Sequence, residues 1–355
     1  VLLSNATKEL IAFSEKTGIP VASTLLGLGA FPTDHPNYVG YLGMHGNYGP
    51  NINTNQCDVL IAIGMRFDDR VTGNVSKYAK QAKVIHIELD KAEINKIIKA
   101  DVAVHADARE ALIALTDLCQ PATYPDWINS FARLNQEEFE KVVEKEIHDT
   151  SSLKMAEVVH LLSELTHGQA VVVTDVGQHQ MVTSRYYKYK NPRTNITSGG
   201  AGTMGFALPA ALGAKIAAPH QQVIAIIGDG GYQMTIQELG TIMEYEIPVK
   251  IMVLNNNFLG MVRQWQQLFH GKRYSFTEMR NPDFIKIAEA YNIRANKVTE
   301  QKNLKAALEE MLESPTSYFL EVVVEKEDNV FPMVPAGAGV AEVILEIPTG
   351  EKKQG

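Results

Sequence analysis

The chain has 355 residues, of which 45% are hydrophobic and 21% are charged, a composition typical of a globular protein with room for two domains. Its formal net charge of −8 argues against binding to nucleic acid, whose phosphates would repel it. Cys57 and Cys119 are too few for a disulfide framework or a zinc site, and this count fits a reducing cytoplasm.

The first 118 residues alternate helical and strand patterns, which predicts a domain with a parallel sheet covered by helices. Residues 6–16 form an amphipathic helix that ends at Gly18, and residues 59–63 and 84–87 are short apolar strands. In residues 119–150, Gln120-Pro121 breaks the pattern and residues 137–148 are heavily charged. We interpret them as a connecting helix and linker.

Residues 151–327 predict a second α/β domain, with strands at 170–173, 223–227, 249–254 and 318–324. Ser151 or Ser152 is expected to cap a helix over 154–165, and Asn281-Pro282 reads as a helix start. Residues 199–218 are apolar over about the length of a membrane span, but their glycines and Pro209 indicate a loop and a packed helix instead. The tail, residues 328–355, is predicted to lack regular structure. The fold class is therefore α/β, with two doubly wound parallel-sheet domains.

Two polar motifs follow neighbouring strands of the second domain. Gly228-Asp229-Gly230 comes directly after one buried strand, and Asn255-Asn256 comes at the end of the next. Parallel strands place such side chains at the same sheet edge, where carboxylate and amide oxygens suit Mg²⁺ and glycine N–H groups suit a diphosphate. Taken alone, the Gly-Asp-Gly sequence also fits a tight strand-to-helix turn in which the aspartate caps the helix.

With its spacing and strand context, this pair of motifs resembles the signature of thiamine-diphosphate enzymes. Residues 197–211 are similar to the segment that grips the aminopyrimidine ring in that superfamily, and residues 175–181 to a loop on the diphosphate side. Further segments narrow the resemblance to the catalytic subunit of acetohydroxyacid (acetolactate) synthases: residues 24–29, 42–46, 64–73, 259–266, 281–284 and 329–338. The similarity extends over essentially the whole chain.

The resemblance implies contacts to Mg²⁺ and to thiamine diphosphate in the second domain. Asp229, Asn256 and the backbone carbonyl of Phe258 would bind Mg²⁺. Met204 would support the folded cofactor from beneath, and the carbonyl of Gly202 would accept from its amino group. Trp265 would shape the pocket of the second substrate, although a lone tryptophan is more often core packing. The diphosphate and the pyrimidine side would be contacted by Val176, Gly177, Gln178, His179, Gly230, Gly231, Met261 and Val262.

The resemblance also implies an FAD site in the first domain. FAD is a structural relic in this family, since the net reaction involves no redox change. Considered without the resemblance, Arg66 to Arg70 would more often be a solvated, self-paired loop, and His45 a partly buried histidine. The positions that match the family are Thr24, Leu25, Met44, His45, Gly64, Arg66, Asp68, Arg70, Val71, Glu88 and Asp107.

The implied reaction is decarboxylation of pyruvate on thiamine diphosphate, followed by condensation of the hydroxyethyl group with a second 2-ketoacid, pyruvate or 2-ketobutyrate. The implied partners are further copies of the chain, as a dimer or tetramer, and a small regulatory subunit, without nucleic acid or membrane.

Two departures from the family pattern limit the expectation. The glutamate that activates the cofactor belongs to an N-terminal domain with no counterpart in these residues, so no catalytic residue is assigned. The family's first FAD-domain strand and its glycine turn would precede Val1. We therefore expect a fragment that folds but is inactive alone.

Two other functions stay open. One is another thiamine-diphosphate-dependent carboligase, decarboxylase or oxidase, and the other is a non-catalytic nucleotide-binding or assembly module.

Overall fold

The computed structural model of the protein describes residues 1–148 and 151–347, and these form two compact units. Unit 1 comprises Val1–Val143 together with the C-terminal segment from Phe331. Unit 2 comprises Glu144–Val330. Each unit contains parallel strands and its own apolar core, which confirms the predicted fold class.

The strands of unit 1 form two parallel sheets. One pairs β1 (Val21–Ser23) with β2 (Tyr38–Tyr41), and the other has the order β3 (Val59–Ile63), β4 (Lys83–Glu88), β5 (Val102–His105). Within the described ranges, no hydrogen-bonded strand pair joins the two sheets. The helices of unit 1 are α1 (Thr7–Thr17), α2 (Tyr48–Thr54), α3 (Asp69–Thr72), α4 (Ala108–Leu118) and α5 (Pro125–Glu138).

Helix α5 lies in the segment that the sequence pattern assigned to the linker. It continues through a π-helical turn, Phe139–Val143, into α6 (Glu144–His148). Asn135 accepts from the backbone N–H of Gly49, and Glu138 accepts from that of Tyr48 at 2.5 Å. These bonds satisfy donors at the start of α2, so α5 packs as part of unit 1.

Unit 2 is built on one six-stranded parallel sheet, in the order β10-β11-β9-β8-β6-β7. Its strands are β6 (Val171–Thr174), β7 (Asn195–Thr197), β8 (Val223–Gly228), β9 (Lys250–Asn255), β10 (Arg294–Val298) and β11 (Tyr318–Val323). Its further helices are α7 (Met155–Leu165), α8 (Gln178–Tyr186), α9 (Ala207–Ala217), α10 (Asp229–Met234), α11 (Glu238–Tyr245), α12 (Gly260–Phe269), α13 (Phe284–Ala290) and α14 (Leu304–Glu313).

The core of unit 2 explains why its central strands could be predicted from short apolar runs in the sequence. Every residue of β6 and β9 is buried, and β8 is buried up to its last residue, Gly228. Helices cover both faces of such a sheet, so its strands need apolar side chains on both sides. The predicted strands at 170–173, 223–227, 249–254 and 318–324 coincide with β6, β8, β9 and β11 to within about one residue.

Two helix starts differ from the sequence prediction. The N-cap of α7 is Lys154, so neither Ser151 nor Ser152 caps it. Helix α13 begins at Phe284, and the Asp283 side chain accepts from the N–H of Lys286. The crossover after β8 is divided into two helices, α10 and α11, and Thr235 between them donates its hydroxyl to the Gly205 carbonyl at 2.9 Å.

The remaining expectations concern the tail and the apolar stretch. Over residues 331–347 the tail contains isolated bridges rather than helices or strands. Residues 199–218 form a loop followed by α9, as predicted. None of the helices in the described ranges has the length and apolarity needed to cross a membrane.

Candidate functional site

Three neighbouring strands of unit 2 bring the predicted cofactor residues to one edge of the sheet. Val176 and Gly177 follow β6, Asp229 follows β8, and Asn256 follows β9. The sheet order places β8 between β6 and β9, so their carboxyl ends are adjacent. Ligands of open α/β sheets bind at this edge.

Asp229 is the buried carboxylate of the site, with 1% of its surface exposed. Asn281 donates to its Oδ2 at 2.7 Å. Burial raises the pKa of Asp229 to about 6, and the Asn281 hydrogen bond, with the nearby backbone N–H groups of Gly230 and Asn257, opposes the rise only in part. The partners are all neutral, so the site holds a negative charge that they do not compensate.

Asn256 is oriented by Gln178, the first residue of α8. Its Nδ2 donates to Gln178 Oε1 at 3.1 Å, and its Oδ1 accepts from the N–H of Phe258 at 3.1 Å. Gln178 in turn donates to Gln264 and to the carbonyl of Asp328, each at 2.9 Å. Within the described residues, no hydrogen bond reaches the carbonyl oxygen of Phe258, which leaves that oxygen available to a cation.

His179 follows in the same helical turn and is held by Asp175. Its Nε2 lies 2.5 Å from Asp175 Oδ1, while Asp175 Oδ2 accepts from the N–H of Gly205 at 2.8 Å. Asp175 is fully buried and His179 nearly so. A Cβ added to Gly228 would lie 2.9 Å from His179 Nδ1, so the imidazole ring lies against the turn that precedes Asp229. His179 was predicted as a site residue from the sequence, whereas Asp175 was not.

Gly230 and Gly231 allow close approach of side chains to the first turn of α10. A Cβ on Gly231 would lie 2.0 Å from Asp175 Oδ2. A Cβ on Gly230 would lie 2.9 Å from Leu259, 3.2 Å from Met279 and 3.6 Å from Met204. The structure therefore places Met204 beside the Asp229 turn. Gly202 is exposed at φ 66°, and its N–H donates to the carbonyl of Ser198.

Helix α12 carries the residues predicted for the pyrimidine and substrate side. Met261 and Trp265 are half-buried, and Val262 is 49% exposed. The Trp265 ring packs on Phe269 with centroids 4.8 Å apart. The opposite face of the helix is fixed by Arg263, which is fully buried and donates to the backbone carbonyls of Glu327 and Asp328. One face of α12 is thus anchored, while the face with Val262 is accessible.

Asn281 belongs to the site, although its sequence context predicted only a helix start. It precedes Pro282, which disfavours helical backbone at Asn281 and keeps its side chain outside α13. Its Nδ2 lies within 3.2 Å of oxygens of Asp229, Asn255 and Asn257. The signal in the sequence was the polar side chain before a proline, which serves the neighbouring turn rather than the helix.

The oxygens of this site fit a divalent cation of the magnesium type. Asp229 supplies one buried carboxylate, Asn256 an amide oxygen, and Phe258 a carbonyl that accepts no hydrogen bond from the described residues. Mg²⁺ takes few protein ligands and completes its octahedron with water and phosphate oxygens. The described ranges contain no cluster of three or more His, Cys, Asp and Glu side chains that could hold a metal ion.

The predicted FAD residues of unit 1 fall into four places. Met44, Arg70 and Val71 border a cleft of about 190 Å³ that is also lined by residues 334–337 of the tail. The N–H of Met44 donates to the Arg70 carbonyl at 2.7 Å, and His45 beside it is buried. Thr24 and Leu25 lie apart, at the start of a 3₁₀ turn after β1.

The third place is the carboxyl edge of the sheet β3-β4-β5, where Gly64 follows β3, Glu88 ends β4 and Asp107 follows β5. Both carboxylates already accept local hydrogen bonds: Glu88 from the N–H groups of Leu89 and Asp90, and Asp107 from Ser4 and the N–H of Arg109.

The loop between Gly64 and Val71 pairs with itself, as the interpretation without a cofactor expected. Arg66 Nε lies 3.8 Å from Asp68 Oδ2, and Arg66 is exposed. Asp68 also caps α3 by accepting from the N–H of Arg70 at 3.0 Å. Met44, Arg70 and Val71 therefore border the cleft, whereas Arg66 and Asp68 lie in this self-paired loop, the fourth place.

Comparison with known proteins gives matches across both units. The family model of the thiamine pyrophosphate enzyme C-terminal TPP binding domain matches residues 175–322, and that of the central domain matches residues 1–115. The chain is 45% identical over 335 residues to the acetolactate synthase large subunit of Lactococcus lactis subsp. lactis. It is 43% identical over 346 residues to the acetolactate synthase isozyme 2 large subunit of Escherichia coli. It is 41% identical over 359 residues to a probable acetolactate synthase large subunit of Methanocaldococcus jannaschii.

These alignments cover the chain almost completely and its relatives in part. They include 94%, 97% and 98% of the chain, but 57%, 62% and 60% of the three relatives, respectively. The chain thus spans about three fifths of the length of these relatives.

Proposed function

Because the chain belongs to the family of acetolactate synthase large subunits, which are thiamine-diphosphate-dependent enzymes, we propose that it serves acetolactate synthesis. The reaction decarboxylates pyruvate and joins the two-carbon unit to a second 2-ketoacid, pyruvate or 2-ketobutyrate, in branched-chain amino-acid biosynthesis. The observation that carries the proposal is the convergence of Gln178, Asp229 and Asn256 at the carboxyl ends of adjacent strands.

Thiamine diphosphate, when bound, supplies the carbon nucleophile and the electron sink that decarboxylation of a 2-ketoacid requires. The chain supplies the residues that bind the metal and the diphosphate. Asp229, Asn256 and the Phe258 carbonyl would hold Mg²⁺, and the cation would neutralise diphosphate oxygens. The first turn of α8, with Gln178 and His179, and the N–H groups of Gly230 and Gly231 would bind the same diphosphate.

The remaining predicted residues would orient the cofactor and the second substrate. Met204, beside Gly230, would support the cofactor from beneath, because its unbranched and polarizable side chain adapts to the ring system. Met261 and Val262 would line the pyrimidine and substrate side. Trp265, one turn further along α12, would limit the size of the second 2-ketoacid.

FAD is proposed for unit 1 as a cofactor without a role in the reaction. The cleft beside Met44, Arg70 and Val71 supports a flavin contact there, and the Arg70 guanidinium would offset negative charge on its diphosphate. Further copies of the chain and a small regulatory subunit are the proposed partners. The cytoplasm is the proposed location.

The proposal is tested by titrating the chain with thiamine diphosphate in the presence and absence of Mg²⁺. We expect metal-dependent binding that Asp229→Ala and Asn256→Ala each weaken at least tenfold, because each removes a metal ligand. Binding without any need for metal would exclude the assigned site. No binding at all would favour the alternative of a non-catalytic module.

Product analysis separates acetolactate synthesis from other thiamine-diphosphate chemistry. Pyruvate, Mg²⁺, thiamine diphosphate and FAD would be supplied to the protein that carries this sequence, and the products quantified. Acetolactate would support the proposal. Acetaldehyde or acetate in its place would assign a decarboxylase or an oxidase.

A further inference from the structure

Asn281 is the most connected neutral side chain around the Asp229 carboxylate. Its Nδ2 lies 2.7 Å from Asp229 Oδ2, 2.9 Å from Asn255 Oδ1 and 3.2 Å from Asn257 Oδ1. Its own oxygen accepts from Gln233 Nε2 at 2.9 Å, which determines which end of the amide faces the carboxylate. An amide has two N–H donors, so the shortest contacts, to Asp229 and Asn255, use both.

A second buried carboxylate lies at the other end of this chain of amides. Asn255 Nδ2 donates to Glu321 Oε1 at 2.7 Å, and Glu321 on β11 is 2% exposed. Lys297 on β10 approaches the same oxygen at 3.1 Å and compensates its charge. Two neutral amides, Asn255 and Asn281, therefore separate the Glu321 charge from the Asp229 charge.

We propose that Asn281 is the positioning residue for the metal ligand Asp229, and that Asn255 and Glu321 anchor it in turn. The proposal rests on the proposed magnesium and thiamine-diphosphate site. By binding Oδ2, Asn281 fixes the rotation of the carboxylate and so sets the direction in which Oδ1 can meet the cation. Residues that orient a metal ligand typically contribute 10-fold to 100-fold to metal affinity, roughly.

The neutrality of Asn281 has a separate consequence for the diphosphate. With Asn281 neutral, Asp229 is the single anionic ligand, so the bound cation keeps net positive charge to attract the diphosphate. A second carboxylate at this position would hold the metal but would oppose the diphosphate by like-charge repulsion. The structure thus assigns Asn281 two effects that can be measured separately.

The test measures two affinities of the whole chain. The first is the affinity for Mn²⁺, whose paramagnetism distinguishes free from bound metal. The second is the affinity for thiamine diphosphate at saturating Mg²⁺. For Asn281→Ala we expect the Kd of Mn²⁺ to rise about 10-fold to 100-fold. For Asn281→Asp we expect Mn²⁺ affinity within about threefold of the parent chain or higher, while thiamine-diphosphate affinity falls at least about tenfold. A role in folding alone would lower both affinities together.

Asn296→Ala is the matched control. Asn296 also donates to a carboxylate of unit 2, Glu310 Oε2 at 3.2 Å, and it lies outside the proposed site. It should leave both affinities unchanged. If circular dichroism shows that Asn281→Ala does not fold, Asn281→Ser replaces it. Its side chain is also too short to make the same contacts, so the Kd of Mn²⁺ should again rise.

The outcomes separate this inference from the proposed function. Metal binding by the parent chain with unchanged affinity in the Asn281 variant overturns the inference alone. Lack of metal binding by the parent chain overturns both the magnesium site and the inference. Parallel loss of metal and diphosphate affinity in Asn281→Asp overturns the part that assigns a role to neutrality.

Discussion

The carboxylate of Asp175 lies in a space that has no room for a side chain on Gly231. Its two oxygens bind His179 and the N–H of Gly205, and a Cβ on Gly231 would come within 2.0 Å of one of them. Asp175 and His179 are both buried, so the Asp175 carboxylate cannot move away into solvent. This contact explains the second glycine after Asp229 by close packing rather than by backbone conformation.

We therefore predict opposite effects for two glycine-to-alanine substitutions in unit 2. Gly231→Ala should lower the free energy of unfolding by about 3 kcal/mol, because it displaces Asp175 from its buried partners. Gly213→Ala should raise it by about 0.5–1 kcal/mol, because Gly213 lies in α9 with open space around its Cα. Urea denaturation measures both. Equal effects of the two substitutions would contradict the packing argument.

A second prediction at the residue scale concerns Glu146 on α6. Burial, with the charge of Asp328 adding to it, raises the pKa of Glu146 to about 7, although Lys154 donates to it at 2.9 Å. The folded state thus binds this proton more tightly than the unfolded chain, whose glutamate pKa is 4.5. Its contribution to stability is complete below about pH 4.5 and is lost as the pH rises to about 7.

Glu146→Gln should remove this part of the pH dependence. Between pH 4.5 and 7.5, the free energy of unfolding of the parent chain should fall relative to the variant by at most about 3 kcal/mol. Glu144→Gln on the same helix, where Glu144 is exposed, serves as the control and should leave the pH profile as it is. A parent profile parallel to that of Glu146→Gln would show that Glu146 does not titrate in this range.

At the scale of elements, the sequence predicted the strands of unit 2 more accurately than its helix ends. Buried strands such as β9 must be apolar on both faces, so their pattern is explicit. Helix ends depend on side chains that contact other elements. The Asn281 amide binds Asp229, so Asp283 rather than Asn281 caps the helix. A local sequence pattern does not predict a hydrogen bond to a residue 52 positions away.

The site shows the same division. The spacing of Asp229 and Asn256 was sufficient to predict that they would meet, because strand order brings the ends of β8 and β9 together. Asp175 and Asn281 were missed as contributors because they act through His179 and Asp229. In unit 1 the cleft was not predictable, since it is lined both by residues near Arg70 and by the tail from Val334.

The end of α11 supplies a prediction at this scale. Glu246 follows the helix in the left-handed conformation, with φ 48° and ψ 41°, and it is exposed. Glycine adopts this conformation without the steric cost that other residues bear. Glu246→Gly should therefore raise the free energy of unfolding by about 0.5–1 kcal/mol.

Glu244→Gly tests whether the gain depends on position. Glu244 is exposed within α11, so the same substitution there should destabilise the protein by about 0.5–1 kcal/mol. Thermal denaturation of the two variants distinguishes them. Destabilisation by both would mean that the left-handed cap carries no strain to relieve.

For the whole molecule, the two units have separate cores. The main cluster of unit 2 surrounds β8 and β9, whereas unit 1 has one cluster around Leu10 and Leu112 and another around Phe67 and Val84. The proposed ligands also divide between the units. Because a ligand stabilises the state that binds it, each cofactor should protect chiefly the unit that contacts it.

We therefore expect the two cofactors to slow amide hydrogen exchange in different segments. Saturating Mg²⁺ and thiamine diphosphate should protect the carboxyl ends of β6, β8 and β9 and the first turn of α8. At a hundredfold excess over Kd, the stabilisation should approach about 2.7 kcal/mol. FAD should protect the segments around Met44 and Arg70 and leave those strand ends unchanged. If thiamine diphosphate protected β3–β5 as strongly as β8, its binding energy would be distributed over both units, and the assignment of one cofactor to each unit would have to be abandoned.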